Sequence, residues 1–269
     1  MDLLDVIARE SDRFRAAVSS GSGGARVPAC PDWTAADLTY HLAEVQHFWA
    51  QVAGGATGAD AEELARPEEA ELLAAFDAAS GRLRAELARR DPEEPAWSWS
   101  ETGGTIAWVL RRQAHEALVH RVDAEQTAGL AVSEPEPALA ADGVDELFTV
   151  SVDNAPGWGT VTLDGRRARV SATDAVTHAT AGGGTAPSVW TLAFGRFTGT
   201  GPESGTQFDW DAARLEPTDD AGAVDVEISG RAWDLDLWLW GRGDAGPLHV
   251  TGDAALVPRL RGVVAEATQ

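Results

Sequence analysis

The sequence predicts a two-domain protein, a four-helix bundle over residues 1–132 followed by an α+β domain over residues 133–269. Three observations lead to this reading. The chain has 269 residues, which suits two ordinary domains at roughly 100–200 residues each. Apolar residues in the first half recur at helical spacing in four stretches, and beyond Gly129 that period gives way to alternation. Hydrophobic residues make up 44% and charged residues 24%, proportions of a globular chain rather than a disordered or fibrous one.

The first helix rests on Leu3, Leu4, Ile7, Phe14 and Val18, and stops in the glycine-serine cluster Ser19 to Gly24. A second begins at Thr34, just after Pro31-Asp32-Trp33. Thr34 with Asp37 three residues on forms a pair like a capping box, a short carboxylate standing in for glutamate. It runs through Leu38, Leu42, Val45, Phe48 and Val52 to Gly54-Gly55. A third covers about Pro67 to Arg90, with Leu72, Leu73, Phe76, Leu83 and Leu87 as its apolar stripe. A loop carrying Trp97 and Trp99 ends in Thr102-Gly103-Gly104, and a fourth helix spans about Thr105 to Gln126. Four helices with connections of moderate length make an antiparallel bundle.

Glu134-Pro135-Glu136-Pro137 reads as a linker or helix start, and a helix over about Pro137 to Val152 opens the second domain. Thr160 to Leu163, Ala168 to Ala172 and Val224 to Ile228 fit half-buried strands. Between Trp233 and Trp240 the apolar residues fit strand or helix equally, and periodicity does not separate the two. Leu248 to Thr251 reads as a strand and Ala254 to Ala267 as a closing helix. The 11 tryptophans are read first as core residues.

All 21 basic residues are arginine, against 43 acidic ones, for a formal net charge of −22. The imbalance is shared: 12 arginines face 22 acids in residues 1–132, and 9 face 21 in the remainder. Such a chain repels phosphate backbones and anionic lipid, so neither nucleic acid nor a membrane surface is expected as a partner. No apolar run approaches the ~18–20 residues of a membrane span. The N-terminus has acids where a secretory signal needs cations, so a soluble cytoplasmic protein is expected. The single cysteine, Cys30, excludes an internal disulfide and a thiolate zinc cluster. Beside Pro31 and near Trp33, it reads as a small packing residue before it reads as a nucleophile.

Chemistry is best sought among the six histidines. On the second helix His41 lies within about 60° of Leu38, Val45 and Phe48 and so faces the bundle interior, whereas His47 points away, toward solvent. On the fourth helix Glu116 and His120 are four residues apart and share one face. Asp123 lies on the same strip, placed to hold an imidazole N–H or to serve as a further ligand. His115 is turned about 100° from Glu116 and is a poorer candidate. A lone inward histidine or a lone Glu/His pair is commonly structural. Together, His41, Glu116 and His120 supply two nitrogens and one oxygen for a divalent metal in a bundle core. Three protein ligands leave a position open, as in catalytic rather than structural zinc sites.

The stretch from Val27 to Leu42, VPACPDWTAADLTYHL, resembles the N-terminal motif of the mycothiol-dependent maleylpyruvate isomerase family, a branch of the DinB-like thiol-dependent metalloenzymes. The stretch His115 to Glu125, HEALVHRVDAE, resembles that family's second metal motif, and Gly230 to Leu260 resembles its C-terminal domain, similar to sterol-carrier-like modules. The resemblance implies a DinB-like four-helix bundle holding zinc, or another divalent metal such as nickel or iron, through His41, Glu116 and His120. It also implies mycothiol as thiol cofactor. In the namesake reaction the thiol adds to a cis-enedione, and rotation about the former double bond gives the trans product. A cofactor thiol supplies the nucleophile that a one-cysteine chain lacks. An arginine of the C-terminal domain is expected to pair with substrate carboxylates. Arg242 is the first candidate by position and Arg231 the second, a solvated surface arginine being the other reading of each.

The leading expectation is therefore a metal-dependent isomerase or S-transferase that joins a low-molecular-weight thiol to a small electrophile such as maleylpyruvate. The alternative is a non-catalytic small-ligand-binding protein whose metal site is structural or vestigial.

Overall fold

The computed structural model describes residues 1–100, 104–177, 186–217 and 222–268. It divides into two compact units, Met1–Ser133 and Glu134–Gln269. The first is helical and the second contains a sheet, the coarse division that the change of periodicity predicts.

In the first unit, α1 (Leu3–Ser20) starts at Asp2, whose side chain accepts from the N–H groups of Leu4 and Asp5. α2 (Ala35–Ala53) begins with the full capping box: Thr34 Oγ1 accepts from Asp37 N at 3.2 Å, and Asp37 Oδ2 accepts from Thr34 N at 2.8 Å. The third helix matches its apolar stripe and is shorter than the predicted span of about Pro67 to Arg90. Glu69–Glu71 form a tight 3-10 turn, and α3 runs over Leu72–Leu87. Neither Glu68 nor Glu71 caps it with a side chain, so the acidic run before Leu72 lacks the hydrogen bond that would extend the helix. α4 (Ile106–Thr127) starts at Thr105, whose hydroxyl accepts from Trp108 N.

α1 packs on α4, α2 packs on both α3 and α4, and α1 also touches α3. Phe14 and Phe76 meet at 5.0 Å between ring centroids, within a buried cluster that includes Val27, Leu38, Leu42, Ala43 and Ala124. Cys30, half-buried, packs against this cluster. Two short hairpins escape the sequence reading, β1 (Arg26–Val27) with β2 (Cys30–Thr34), and β3 (Pro95–Ala96) with β4 (Gly104–Thr105). Strands of two to five residues are too short to display alternation. Of the loop predicted to end in Thr102-Gly103-Gly104, residues 101–103 lie outside the described residues.

The second unit opens with α5 (Pro137–Glu146), which widens into a π-helical turn over Leu147–Val152 that buries Leu147, Phe148 and Val152. Five strands follow: β5 (Gly159–Thr177), β6 (Ala186–Thr200), β7 (Gln207–Glu216), β8 (Val226–Gly230) and β9 (His249–Gly252). Their order is β7-β6-β5-β8-β9, antiparallel except for the β5/β8 pair. Thr160–Leu163 and Ala168–Ala172 belong to one strand, interrupted by a register shift between Leu163 and Arg167. Gly165 lies there at φ +84°, a conformation that suits a residue without Cβ. β6 does not alternate because Trp190 to Gly195 are all buried, which erases the period-2 signal. The ambiguous Trp-rich run is a helix, α6 (Ala232–Leu239), and α7 (Leu256–Ala267) closes the chain. Among the described residues no helix is long and apolar enough to cross a membrane.

Candidate metal centre

The capping box sets where α2 starts, and with it which residues face α4. His41 follows seven residues after Thr34, on the face that buries Leu38 and Leu42. α4 is buried on nearly every side, so even its charged positions are withdrawn from water: Arg112, His115, His120, Arg121, Asp123 and Glu125 are all buried. Burial on all faces matters because a buried charge needs partners.

His41, Glu116 and His120 each offer one ligand atom, and these atoms lie within 4.8 Å of one another. Glu116 Oε1 is 3.1 Å from His120 Nε2 and 3.5 Å from His41 Nε2. The two imidazole centroids are 4.8 Å apart, nearly edge to face, and the Trp33 ring lies 4.8 Å from that of His41. The side chains are 29%, 18% and 10% exposed for His41, Glu116 and His120, so the cluster is sheltered yet open on one side.

Two further residues organise it. Asp123 Oδ2 lies 2.9 Å from His120 Nδ1. A proton on Nδ1 shared with this carboxylate leaves Nε2 directed at Glu116. Arg112 donates through Nη2 to Glu116 Oε2 at 2.9 Å, which leaves Oε1 as the oxygen facing both imidazoles. Burial pushes the Glu116 carboxyl up, but hydrogen bonds and charge from His120, the hydrogen bond from His41 and the Arg112 guanidinium outweigh it and hold it well below the usual carboxylate range. Burial acts to lower His120, but its bonds to Asp123 and Glu116 prevail and push it up to about 9. Unligated, the cluster therefore sits as a carboxylate beside an imidazolium.

Of the residues selected from sequence, His41, Glu116, His120 and Asp123 converge. His115 is buried away from them, His47 is half-buried rather than solvated, and His249 is exposed. His178 lies outside the described residues. Arg242 is half-buried in the second unit and donates to Trp240 O at 2.7 Å. Arg231 is exposed and already paired, with Glu134 and with Asp174 at 3.4 Å. The sequence reading overlooked Arg112. Its i,i+4 spacing to Glu116 fits an ordinary surface ion pair equally well, so the spacing alone does not mark it.

Residues 4–125 match the family described as the mycothiol maleylpyruvate isomerase N-terminal domain. The match covers most of the N-terminal unit. Both stretches of this unit that carry the resemblance, Val27–Leu42 and His115–Glu125, fall within the matched range. Two solved structures are similar over the whole chain. A crystal structure of a histidine-to-alanine variant of mycothiol-dependent maleylpyruvate isomerase is 13% identical, and a crystal structure of the mycothiol-dependent maleylpyruvate isomerase is 11% identical. Each covers 94% of this chain and 95% of its own, at a TM-score of 0.58. At such identity the likeness speaks for a shared fold. None of the curated proteins matches this chain in sequence. The maleylpyruvate isomerase resemblance read from motifs thus has a family match beneath it, and the helical-then-sheet organisation has structural counterparts.

Proposed function

We propose that this chain is a metal-dependent enzyme of the maleylpyruvate isomerase type. It would use a low-molecular-weight thiol, mycothiol first among candidates, to isomerise or accept S-transfer to a small electrophile. The proposal takes residues 1–132 as a DinB-like four-helix bundle and residues 133–269 as a sterol-carrier-like domain. The observation that carries it is the approach of one ligand atom each from His41, Glu116 and His120 to within 4.8 Å of one another. Two imidazole nitrogens and one carboxylate oxygen, with Nδ1 of one imidazole held by Asp123, suit a borderline divalent ion, zinc by default and nickel or iron by donor chemistry.

When bound, such an ion supplies the positive charge that keeps a cofactor thiol ionised at neutral pH. The protein's own residues do the rest. Asp123 orients His120, Arg112 holds Glu116 Oε2, and the Trp33 ring packs beside that of His41. In the isomerisation a sulfur–carbon bond forms as the substrate double bond becomes single. Rotation follows, and loss of the thiol restores the double bond, with no net oxidation. Arg242 is proposed to meet a substrate carboxylate.

Elemental analysis of protein purified without chelator is expected to give one divalent metal per chain, and His41→Ala to abolish it. Mycothiol added to cobalt-substituted protein should produce a sulfur-to-metal charge-transfer band that Glu116→Gln weakens. A wild-type protein that takes up no zinc would defeat the metal reading. A metal-loaded protein whose cobalt spectrum ignores every thiol would leave a metal-containing binding protein.

A further inference from the structure

α4 carries a buried polar side chain that takes no part in the candidate ligand set. Gln113 is 0% exposed, and neither its Nε2 nor its Oε1 has a hydrogen-bond partner among the described residues. The charged side chains around it are bonded: Arg112 to Glu116, His120 to Asp123, and Arg121 to Glu10 and Glu125. Gln46, buried on α2, has its Nε2 bonded, to Ser11 Oγ at 3.0 Å. A carboxamide offers two donors and an acceptor. Leaving both ends unpaired in a core is less favourable than an apolar side chain of the same shape.

Its place on the helix ties it to the metal centre. Gln113 lies three residues before Glu116 and seven before His120. At about 100° per residue it is turned about 60° from Glu116 and about 20° from His120, on the strip that carries both candidate ligands. Val109 and Ala117, both fully buried, border it. Helical side chains lean toward the N-terminus. Glu116 therefore leans back over the turn that holds Gln113 and Arg112, from which it accepts at 2.9 Å. Trp49 follows His41 by eight residues on α2, and Trp108 precedes Glu116 by eight on α4. Their rings meet at 5.4 Å, and the ring of Trp99 lies against both. Along α4, Gln113 thus stands between the metal ligands and an aromatic wall.

We infer that the Gln113 carboxamide binds an amide of the thiol cofactor, whose sulfur takes the open position beside His41, Glu116 and His120. Unpaired donor and acceptor atoms on one carboxamide call for a partner that accepts and donates at once. An amide does both, whereas an alkyl chain does neither and a carboxylate only accepts. The spacing agrees, since one turn of α4 is about 5.4 Å, comparable to the reach of a thiol whose amide stands two carbons from its sulfur. The tryptophans beyond Gln113 offer the remainder of such a ligand an apolar surface. The inference rests on the proposed function and deepens it. It names the class of thiol recognised, an N-acylated aminothiol, and the residue that recognises it.

The test titrates cobalt-substituted, full-length protein with N-acetylcysteamine and with 1-propanethiol, following the sulfur-to-cobalt charge-transfer band. Wild type should bind the amide-bearing thiol about tenfold more tightly, the worth of one or two buried hydrogen bonds. Gln113→Met, close to glutamine in volume, should bring the two affinities to within about threefold of each other. A second readout is thermal denaturation of the metal-free protein. Because Gln113 has no bond to lose there, Tm should stay level or rise. Gln113→Leu serves for both measurements where methionine packs badly. A wild type without the preference, a folded variant that keeps it, or a Tm that falls clearly in both variants would each overturn the inference and leave the metal reading intact. No band with either thiol would defeat the thiol reading of the proposed function, and the inference with it.

Discussion

Asp123 illustrates how a residue outside the candidate ligand set governs it. Its fully buried carboxylate holds His120 Nδ1 at 2.9 Å, so the ring turns Nε2 toward Glu116 and His41. Replacing Asp123 with Asn keeps the shape but removes the charge that makes the imidazole a better donor. Such changes typically weaken metal affinity by about 10–100-fold, and competition against a chromogenic zinc chelator should show it without loss of helical signal. Asp123 was legible in the sequence because it falls one turn beyond His120 on the same strip. Arg112 and Trp33 were not. A helical arginine reads as surface by default, and Arg112 is 6% exposed only because α4 is covered on nearly all sides. Trp33 reaches His41 across the β2–α2 junction, a contact that no helical period encodes.

α2 was the most legible element, and local chemistry explains why. Thr34 and Asp37 satisfy each other's backbone N–H groups within four residues, independent of anything distant. Arg66 adds a bond to Asp37 Oδ1 at 2.7 Å. The hydroxyl and N–H of Thr34, aided by Arg66, hold the Asp37 carboxyl down at about 2. Its ordinary value is near 3.8, so the folded state binds the proton less readily than the unfolded chain. The stabilisation is therefore fully present above about pH 4 and is lost as pH falls toward 2. Asp37→Asn should cost about 1 kcal/mol at neutral pH. In denaturant titrations the gap to wild type should close on acidification, and a gap independent of pH would contradict the ionic part of the cap. α6 was illegible for the opposite reason. Ala232, Trp233, Leu235, Asp236, Trp238 and Leu239 are all buried, which removes the polar face from which a period is read. Its start depends instead on Asp174, whose Oδ1 accepts from Ala232 N at 2.7 Å across 58 residues of chain.

At the scale of the whole molecule, the first unit is bound together by a network that runs from its beginning to its end. Arg121 is fully buried on α4, donating through Nε to Glu10 Oε2 on α1 at 2.8 Å and through Nη1 to Glu125 Oε2 at 2.8 Å. The same Nη1 reaches Ser133 O at 2.6 Å, and Glu125 in turn accepts from Ser133 N and Oγ, both at 2.8 Å. The first helix, the last helix and the residue that closes the unit thus share one set of buried charges. All these partners lie within residues 1–133, so a fragment of that length retains every one of them. It should give a predominantly helical circular dichroism spectrum and a cooperative thermal transition. Arg121→Met should destabilise it by about 3–5 kcal/mol, because it removes the buried guanidinium bonded to both carboxylates, leaving Glu10 only the part-exposed Arg9 and Arg13 at its other oxygen. Adding Glu10→Gln and Glu125→Gln to that variant should restore part of the loss, since the uncompensated charges go with them. A fragment rich in β-structure would refute the independence of the unit. A fragment that stays folded with Arg121→Met at full stability would show that packing of Phe14, Leu38, Leu42 and Phe76 holds it without the network.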